Sequence, residues 1–295
     1  MAHGTPTSSS GIEAFYTRIR HGHAPTPEQL ADLTRRYQAI GGTSPLAQHT
    51  ADQVAGLAAT LEATSPGAYD VRYGSKFEPP LLEEAATAFR EEGYERVVGL
   101  VLAPHSSTMS TDQYMDRARL ALGESVELIA IGAWYRTPGF LELIAQRVLD
   151  AMATIAPSRY DTTEVLFSAH SLPMKILELG DTYPEQLHES AKIAAELAGV
   201  RSFDVAWQSA GRTPDPWLGP DILDVLRDKG AKGFTDVVSC PIGFVSDHLE
   251  VLFDVDIEAQ SVAREVGLNL VRTASLNDDP AFLAVLARVV KTAAK

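Results

Sequence analysis

Short apolar runs of about four to eight residues alternate along the chain with longer stretches whose apolar side chains recur every three or four positions. The short runs predict strands over Arg96 to Leu102, Glu127 to Ile131, Thr163 to Phe167, Phe203 to Trp207 and Thr235 to Ser239. The longer stretches predict helices, among them Pro27 to Ala39, Ser44 to Glu62, Leu81 to Glu92, Thr111 to Leu122, Phe140 to Ala153, Tyr183 to Ala198, Pro220 to Lys229, Leu249 to Glu265 and Pro280 to Lys291, many opened by a capping residue or an early proline. Strands alternating with helices mark an α/β protein with parallel sheets.

A weak internal echo divides the chain. Ala2-His3-Gly4, Ala103-Pro104-His105-Ser106 and Ala169-His170-Ser171 each put a histidine where a strand meets its following loop. Either the words repeat by chance or two similar βαβ modules, residues 1–155 and 156–295, flank a cleft walled by the carboxyl ends of their strands. The seam falls near Ile155-Ala156-Pro157-Ser158, with the C-terminal helix free to pack back on the first module.

Where chemistry could sit follows from the same pattern. His170 closes an apolar run, so its ring belongs at a strand's carboxyl edge. Downstream, Asp247, Glu250, Asp254 and Glu258 fall within roughly 80° of one another if the segment after Phe244 is a regular α-helix. Like charges so spaced repel by roughly 0.2–0.5 kcal/mol per pair, so the stripe is either a solvated face or a path for cations. One imidazole and one carboxylate make an incomplete metal cage, which suits an ion that must leave again.

Composition narrows the partners. The 295 residues are 45% hydrophobic and 22% charged, ordinary material for two modest cores or one large one. A net charge of -14 repels nucleic acid and anionic lipid, and no basic stripe offsets it. No run approaches the ~18 apolar residues of a spanning helix, and no signal-peptide core is visible, so a soluble cytoplasmic protein is expected. Cys240 is the single cysteine, which leaves no intramolecular disulfide and no cysteine-ligated cluster within this chain. Against the acidic background, Arg18, Arg20, Arg35 and Arg36 outnumber Glu13, Glu28 and Asp32 within residues 1–36, a tract suited to a small polyanion or simply a basic surface. The loop from Val205 to Pro220 is rich in turn formers and holds Trp207 and Trp217, which either clamp a flat aromatic ligand or fill core.

The motifs Gly4-Thr5-Pro6, Tyr16-Thr17-Arg18-Ile19-Arg20, Ile40-Gly41-Gly42, Leu102-Ala103-Pro104-His105, Ser168-Ala169-His170-Ser171-Leu172-Pro173, Trp207-Gln208-Ser209, Pro214-Asp215-Pro216-Trp217-Leu218-Gly219-Pro220 and Asp247-His248-Leu249-Glu250 carry a resemblance that runs nearly end to end. The chain resembles the ferrochelatases, most closely the short soluble bacterial class acting on coproporphyrin. The resemblance implies two Rossmann-like, chelatase-type halves around a porphyrin cleft, and insertion of ferrous iron into coproporphyrin III to give coproheme in haem biosynthesis. It assigns catalysis to His170 and Glu250, and metal handling to the same pair followed outward by Asp254 and Glu258. It assigns porphyrin contacts to Arg20, Arg36, Tyr37, Ser44 and Tyr114. It further implies iron as substrate rather than resident cofactor, no tightly bound cofactor, no iron-sulfur cluster, a monomer, and a downstream coproheme decarboxylase as partner for the product.

This chain departs from that class at three places. His3 stands where close relatives often carry a tyrosine reaching the metal face, and is expected to take its place beside the porphyrin. Phe77 follows Lys76 where some relatives have a Lys-His pair, so an outer metal site is not expected. The first strand looks short, with only Met1 and Ala2 before His3. Two other readings stand beside the ferrochelatase one: a porphyrin or haem carrier without catalysis, and a related chelatase for protoporphyrin IX or another divalent metal.

Overall fold

A computed structural model describes residues 1–211 and 213–295. Six strands are named β1 (Arg96–Gly99), β2 (Glu127–Ala130), β3 (Thr163–His170), β4 (Phe203–Gln208), β5 (Asp236–Cys240) and β6 (Asn269–Arg272). They form two parallel sheets, β1-β2 and β4-β3-β5-β6, with helices packed on their faces. This is the expected α/β architecture of two parallel sheets.

β3 lies between β4 and β5 and is buried along seven of its eight residues, hence its nearly unbroken apolar run. Alternation sends Val165, Phe167 and Ala169 into the larger core and Leu166 into a second core with Ile222, Leu226, Val255 and Ala263. The strand runs on to His170, three residues beyond its expected end, because His170 still pairs with Gln208 of β4. β6 was not expected at all. Its four residues carry little pattern of their own, and pairing with β5 makes them a strand.

The larger core crosses between the sequence halves. It joins Leu57, Leu61, Leu100 and Trp134 to Phe167, Trp207 and Phe282. Helix Phe140–Met152 packs on helix Tyr183–Leu197, and helix Pro280–Ala293 packs on helix Leu46–Thr64. At the N-terminal end, Met1–His3 threads between two neighbours. The Leu102 amide donates to the Met1 carbonyl at 2.9 Å, and the Lys76 and Phe77 amides donate to the Ala2 and His3 carbonyls at 2.9 and 3.1 Å. Short as it is, this segment is strand-like and fixes His3 beside Phe77.

The acidic stripe needs correction. The segment after Phe244 is not one regular helix: a single α-turn, Leu249–Leu252, passes into a π-helix, Asp254–Ala259, and then an α-turn, Gln260–Glu265. The Glu258 amide donates to the Phe253 carbonyl at 2.9 Å, one residue further back than an α-helix allows. Asp247 precedes the helix and is held by Arg272 at 3.1 Å, Ser275 at 2.7 Å and Asn277 at 3.2 Å. It therefore belongs to a structural network anchored on β6 and not to the acidic line, which runs Glu250, Asp254, Glu258.

Gly243 shows how tightly the strand ends are packed. A Cβ there would lie 2.4 Å from the Ala169 Cβ and 2.8 Å from its Cα, next to His170. Gly243→Ala should lower stability by about 1–3 kcal/mol, read as a fall in thermal midpoint; an unchanged midpoint would show that this contact relaxes at no cost.

Candidate active site

A cavity of about 300 Å³ opens where the strands of both sheets end, lined among others by His3, Lys76, His105, Tyr114, His170, His248 and Glu250. The three histidines of the internal echo, His3, His105 and His170, all reach it. A second cavity, about 390 Å³, lies beside β1 among Leu57, Leu61, Val98 and Ile129 and contains no histidine, so it lacks the chemistry of the first.

Glu250 sits between two imidazoles. Its Oε1 is 3.6 Å from His170 Nε2 and its Oε2 is 3.6 Å from His248 Nε2. Both rings are oriented by the main chain: His170 Nδ1–H donates to the Ser171 carbonyl, and His248 Nδ1–H to the Ser246 carbonyl at 2.9 Å. A carbonyl oxygen only accepts, so Nδ1 carries hydrogen in each ring and Nε2 is left to meet a proton or a metal. His3 repeats the device, with Nδ1 3.1 Å from the Gly4 carbonyl and its ring edge-on to Phe77.

The supports come from β3 and β4. The Tyr183 hydroxyl donates to the His170 carbonyl at 3.0 Å. The Gln208 amide accepts from Ser168 Oγ at 2.8 Å and donates to the Glu250 carbonyl at 3.0 Å, tying the end of β3 to the turn that carries Glu250. One buried amide is thus bonded both to the strand that carries His170 and to the turn that carries Glu250.

Burial works against charge on His170, yet the Glu250 carboxylate outweighs it and lifts the imidazolium to about 9. Glu250 is likewise opposed by burial and held well below the usual carboxylate range by His170 and His248. About a third of each side chain, 33% and 34%, remains open to the cavity, so water screens the pair in part. Asp254 behaves differently. Burial, with Glu250 and Glu258 nearby, pushes its carboxyl up to about 6, although Ser209 Oγ donates to it and Arg36 Nη1 lies 3.4 Å away. Ser209 pays for that contact with a left-handed backbone, φ 61°.

Of the residues expected at the porphyrin, His3 and Tyr114 line the cavity and Arg20, Arg36, Tyr37 and Ser44 do not. Arg36 is engaged by Asp32 at 3.1 Å and by Asp254, over the Phe253 ring. Tyr37 is buried with its hydroxyl 3.1 Å from Thr5 Oγ1. Ser44 accepts from the Leu46 amide at 3.3 Å, and Arg20 lies against Tyr16 and the His23 carbonyl. Trp207 is core, while Trp217 stands 6.4 Å from the His170 ring; Arg212 of the same loop lies outside the described residues. His248 is the residue that sequence reasoning missed, although it stands inside the motif that held Glu250. Among the described residues no three His, Cys, Asp or Glu side chains form a ready metal cage.

The fold is that of chelatases. Solved structures of CbiX, described as the terminal enzyme of sirohaem biosynthesis in denitrifying bacteria, and of SirB from Bacillus subtilis with Fe3+ both superpose with a TM-score of 0.55. The first is 17% identical and covers 84% of this chain and 93% of its own; the second is 15% identical and covers 83% and 90%. A family model described as Ferrochelatase matches residues 1–294, and the chain belongs to the ferrochelatase family. It is 43% identical to a protein named "Ferrochelatase" from Herpetosiphon aurantiacus, over 98% of this chain and 96% of that protein. It is also 43% identical to the protein named "Coproporphyrin III ferrochelatase" from Bacillus subtilis, over 98% and 95%.

The electrostatics give a pH test. His170's folded pKa lies above its ordinary 6.5, so the stability it contributes is complete below pH 6.5 and lost as pH rises through about 9. Glu250 has the opposite sign: its contribution is present above 4.5 and lost as pH falls through its depressed value. In Glu250→Gln, burial is opposed only by weaker partners, and the His170 titration followed by proton NMR should drop from about 9 toward or below 6.5. A midpoint still near 9 would assign the shift to another group.

Proposed function

We propose that the protein inserts ferrous iron into coproporphyrin III, forming four iron-nitrogen bonds and releasing the two pyrrole protons, to give coproheme. Membership of the ferrochelatase family and 43% identity over nearly full length to proteins named coproporphyrin III ferrochelatase support the reaction and the substrate. The observation that carries the site assignment is Glu250 held between two imidazoles whose Nε2 atoms face it, on the wall of the cavity.

In this reading His170 and Glu250 do two jobs in turn. At neutral pH the pair holds a proton on His170; an arriving ferrous ion competes with that proton for Nε2, so iron uptake and proton release are coupled. Glu250 replaces part of the ion's water shell and stays ionised throughout. Two protein ligands hold the ion weakly, which favours handing it to four ring nitrogens over keeping it. Asp254, near pH 6, is the neighbouring carboxyl best matched to take up protons and pass them outward toward Glu258. His3 and Tyr114 contact the macrocycle. Arg20, Arg36, Tyr37 and Ser44, away from the cavity, act at the outer edge of the cleft or on the structure beneath it.

Iron is substrate here, no resident cofactor is required, and the protein works as a cytoplasmic monomer. No helix among the described residues is long and apolar enough to cross a membrane. The product keeps its four carboxylates, so a decarboxylating enzyme is the partner that would consume it. A second reading, a porphyrin carrier, accounts for the cavity and leaves the acidic line without a task.

Anaerobic mixing of ferrous iron with coproporphyrin III and, in parallel, protoporphyrin IX, followed by visible absorbance, tests the proposal. Insertion into coproporphyrin is expected, and His170→Ala should lose at least about a hundredfold in kcat with porphyrin binding retained. Binding without insertion in the wild type would establish the carrier, and full turnover in the variant would remove His170 from the chemistry.

A further inference from the structure

A porphyrin carrying four carboxylates needs cations, and most of those around the cleft are already paired. Arg18 is held by Glu78, Arg117 by Glu83, Arg35 by Asp32, and Arg36 by Asp32 and Asp254. Lys76 is different. Among the described residues it is the one lysine or arginine that lines the cavity, and its ammonium is held by the neutral Gln113 amide and not by a carboxylate.

Its position is built rather than incidental. The Lys76 amide donates to the Ala2 carbonyl at 2.9 Å, and its own carbonyl accepts from Arg117 Nη1 at 2.9 Å, which sets the residue beside His3. Nζ donates to Gln113 Oε1 at 2.5 Å and lies 5.2 Å and 5.0 Å from the ring centroids of Phe77 and Tyr114. Gln113 and Tyr114 are neighbours on helix Thr111–Leu122, so that helix and the Lys76 segment together aim the ammonium. One of three donors is used, which leaves two for a ligand. The acidic pole of the same cavity, Glu250, is compensated by His170 and His248, so the ammonium lacks a protein anion.

Resting on the coproporphyrin reading above, we propose that Lys76 is a specificity-determining residue whose ammonium binds a substrate carboxylate that a dicarboxylic porphyrin does not place there. A carboxylate beside this charge gains a charge-assisted hydrogen bond in a partly dried site. A small neutral substituent at that point leaves the ammonium desolvated and unpaired, which costs binding. Burial, with Arg117 close by, already pulls the Lys76 ammonium down to about 8, the direction expected of a cation short of an anion.

The test compares wild type, Lys76→Met and Lys76→Arg on two porphyrins, coproporphyrin III with four carboxylates and deuteroporphyrin IX with two. Dissociation constants are read without iron from porphyrin fluorescence, and KM and kcat from anaerobic ferrous insertion. Lys76→Met should weaken coproporphyrin binding and raise its KM about tenfold to a hundredfold, with kcat close to wild type and deuteroporphyrin binding unchanged or tighter. Lys76→Arg should restore most of the preference. Equal weakening for both porphyrins, or no change for coproporphyrin, overturns the proposal. If the wild type binds coproporphyrin without inserting iron, the functional reading alone fails, and the ratio of dissociation constants still decides Lys76.

Discussion

The Glu250 carboxylate, confined between His170 and His248, is the interaction on which the site depends. An isolated carboxylate at such depth would take up a proton, and an isolated imidazole would give one up. Together they keep opposite charges, with His170 at about 9 and Glu250 depressed. Neither shift survives loss of the geometry. The rings are aimed by main-chain carbonyls at Ser171 and Ser246, and Gln208 bonds to both Ser168 and the Glu250 carbonyl. Much of the second sheet can be understood as the frame that brings these atoms to 3.6 Å and no closer.

β3 lies between β4 and β5, and its last residue, His170, pairs with Gln208 of β4 and lines the cavity. At the start of the π-helical turn after Phe253, Asp254 accepts from Ser209 Oγ and lies 3.4 Å from Arg36 Nη1. The result is a row of carboxyls whose proton affinities differ, Glu250 held well below the usual carboxylate range and Asp254 raised to about 6.

Much of this was legible beforehand, and the losses have physical reasons. His170 and Glu250 stand in motifs next to strand ends, and apolar runs located five of the six strands. β6 escaped because four residues paired at one edge carry almost no pattern. Asp247 was misplaced for the same reason, since the Arg272 that claims it lies on β6. The π-turn cannot be read from a periodicity that assumes an α-helix. Arg36 finds Asp254 at a separation of 218 residues, a pairing no local window contains. His248 escaped notice because nothing in the sequence sets it apart within its motif, and only the fold brings its Nε2 to the same carboxylate as His170. Residue type and spacing reveal which groups are present, while their protonation depends on contacts from distant parts of the chain.

The proposed chemistry requires His170 and Glu250 to work as one unit. A double-mutant cycle on kcat/KM for ferrous insertion tests it, comparing His170→Ala, Glu250→Gln and the double variant under anaerobic conditions. A working pair requires strong non-additivity, the double variant losing about as much as the worse single one. Losses that multiply would mean two independent groups and would contradict a coupled pair.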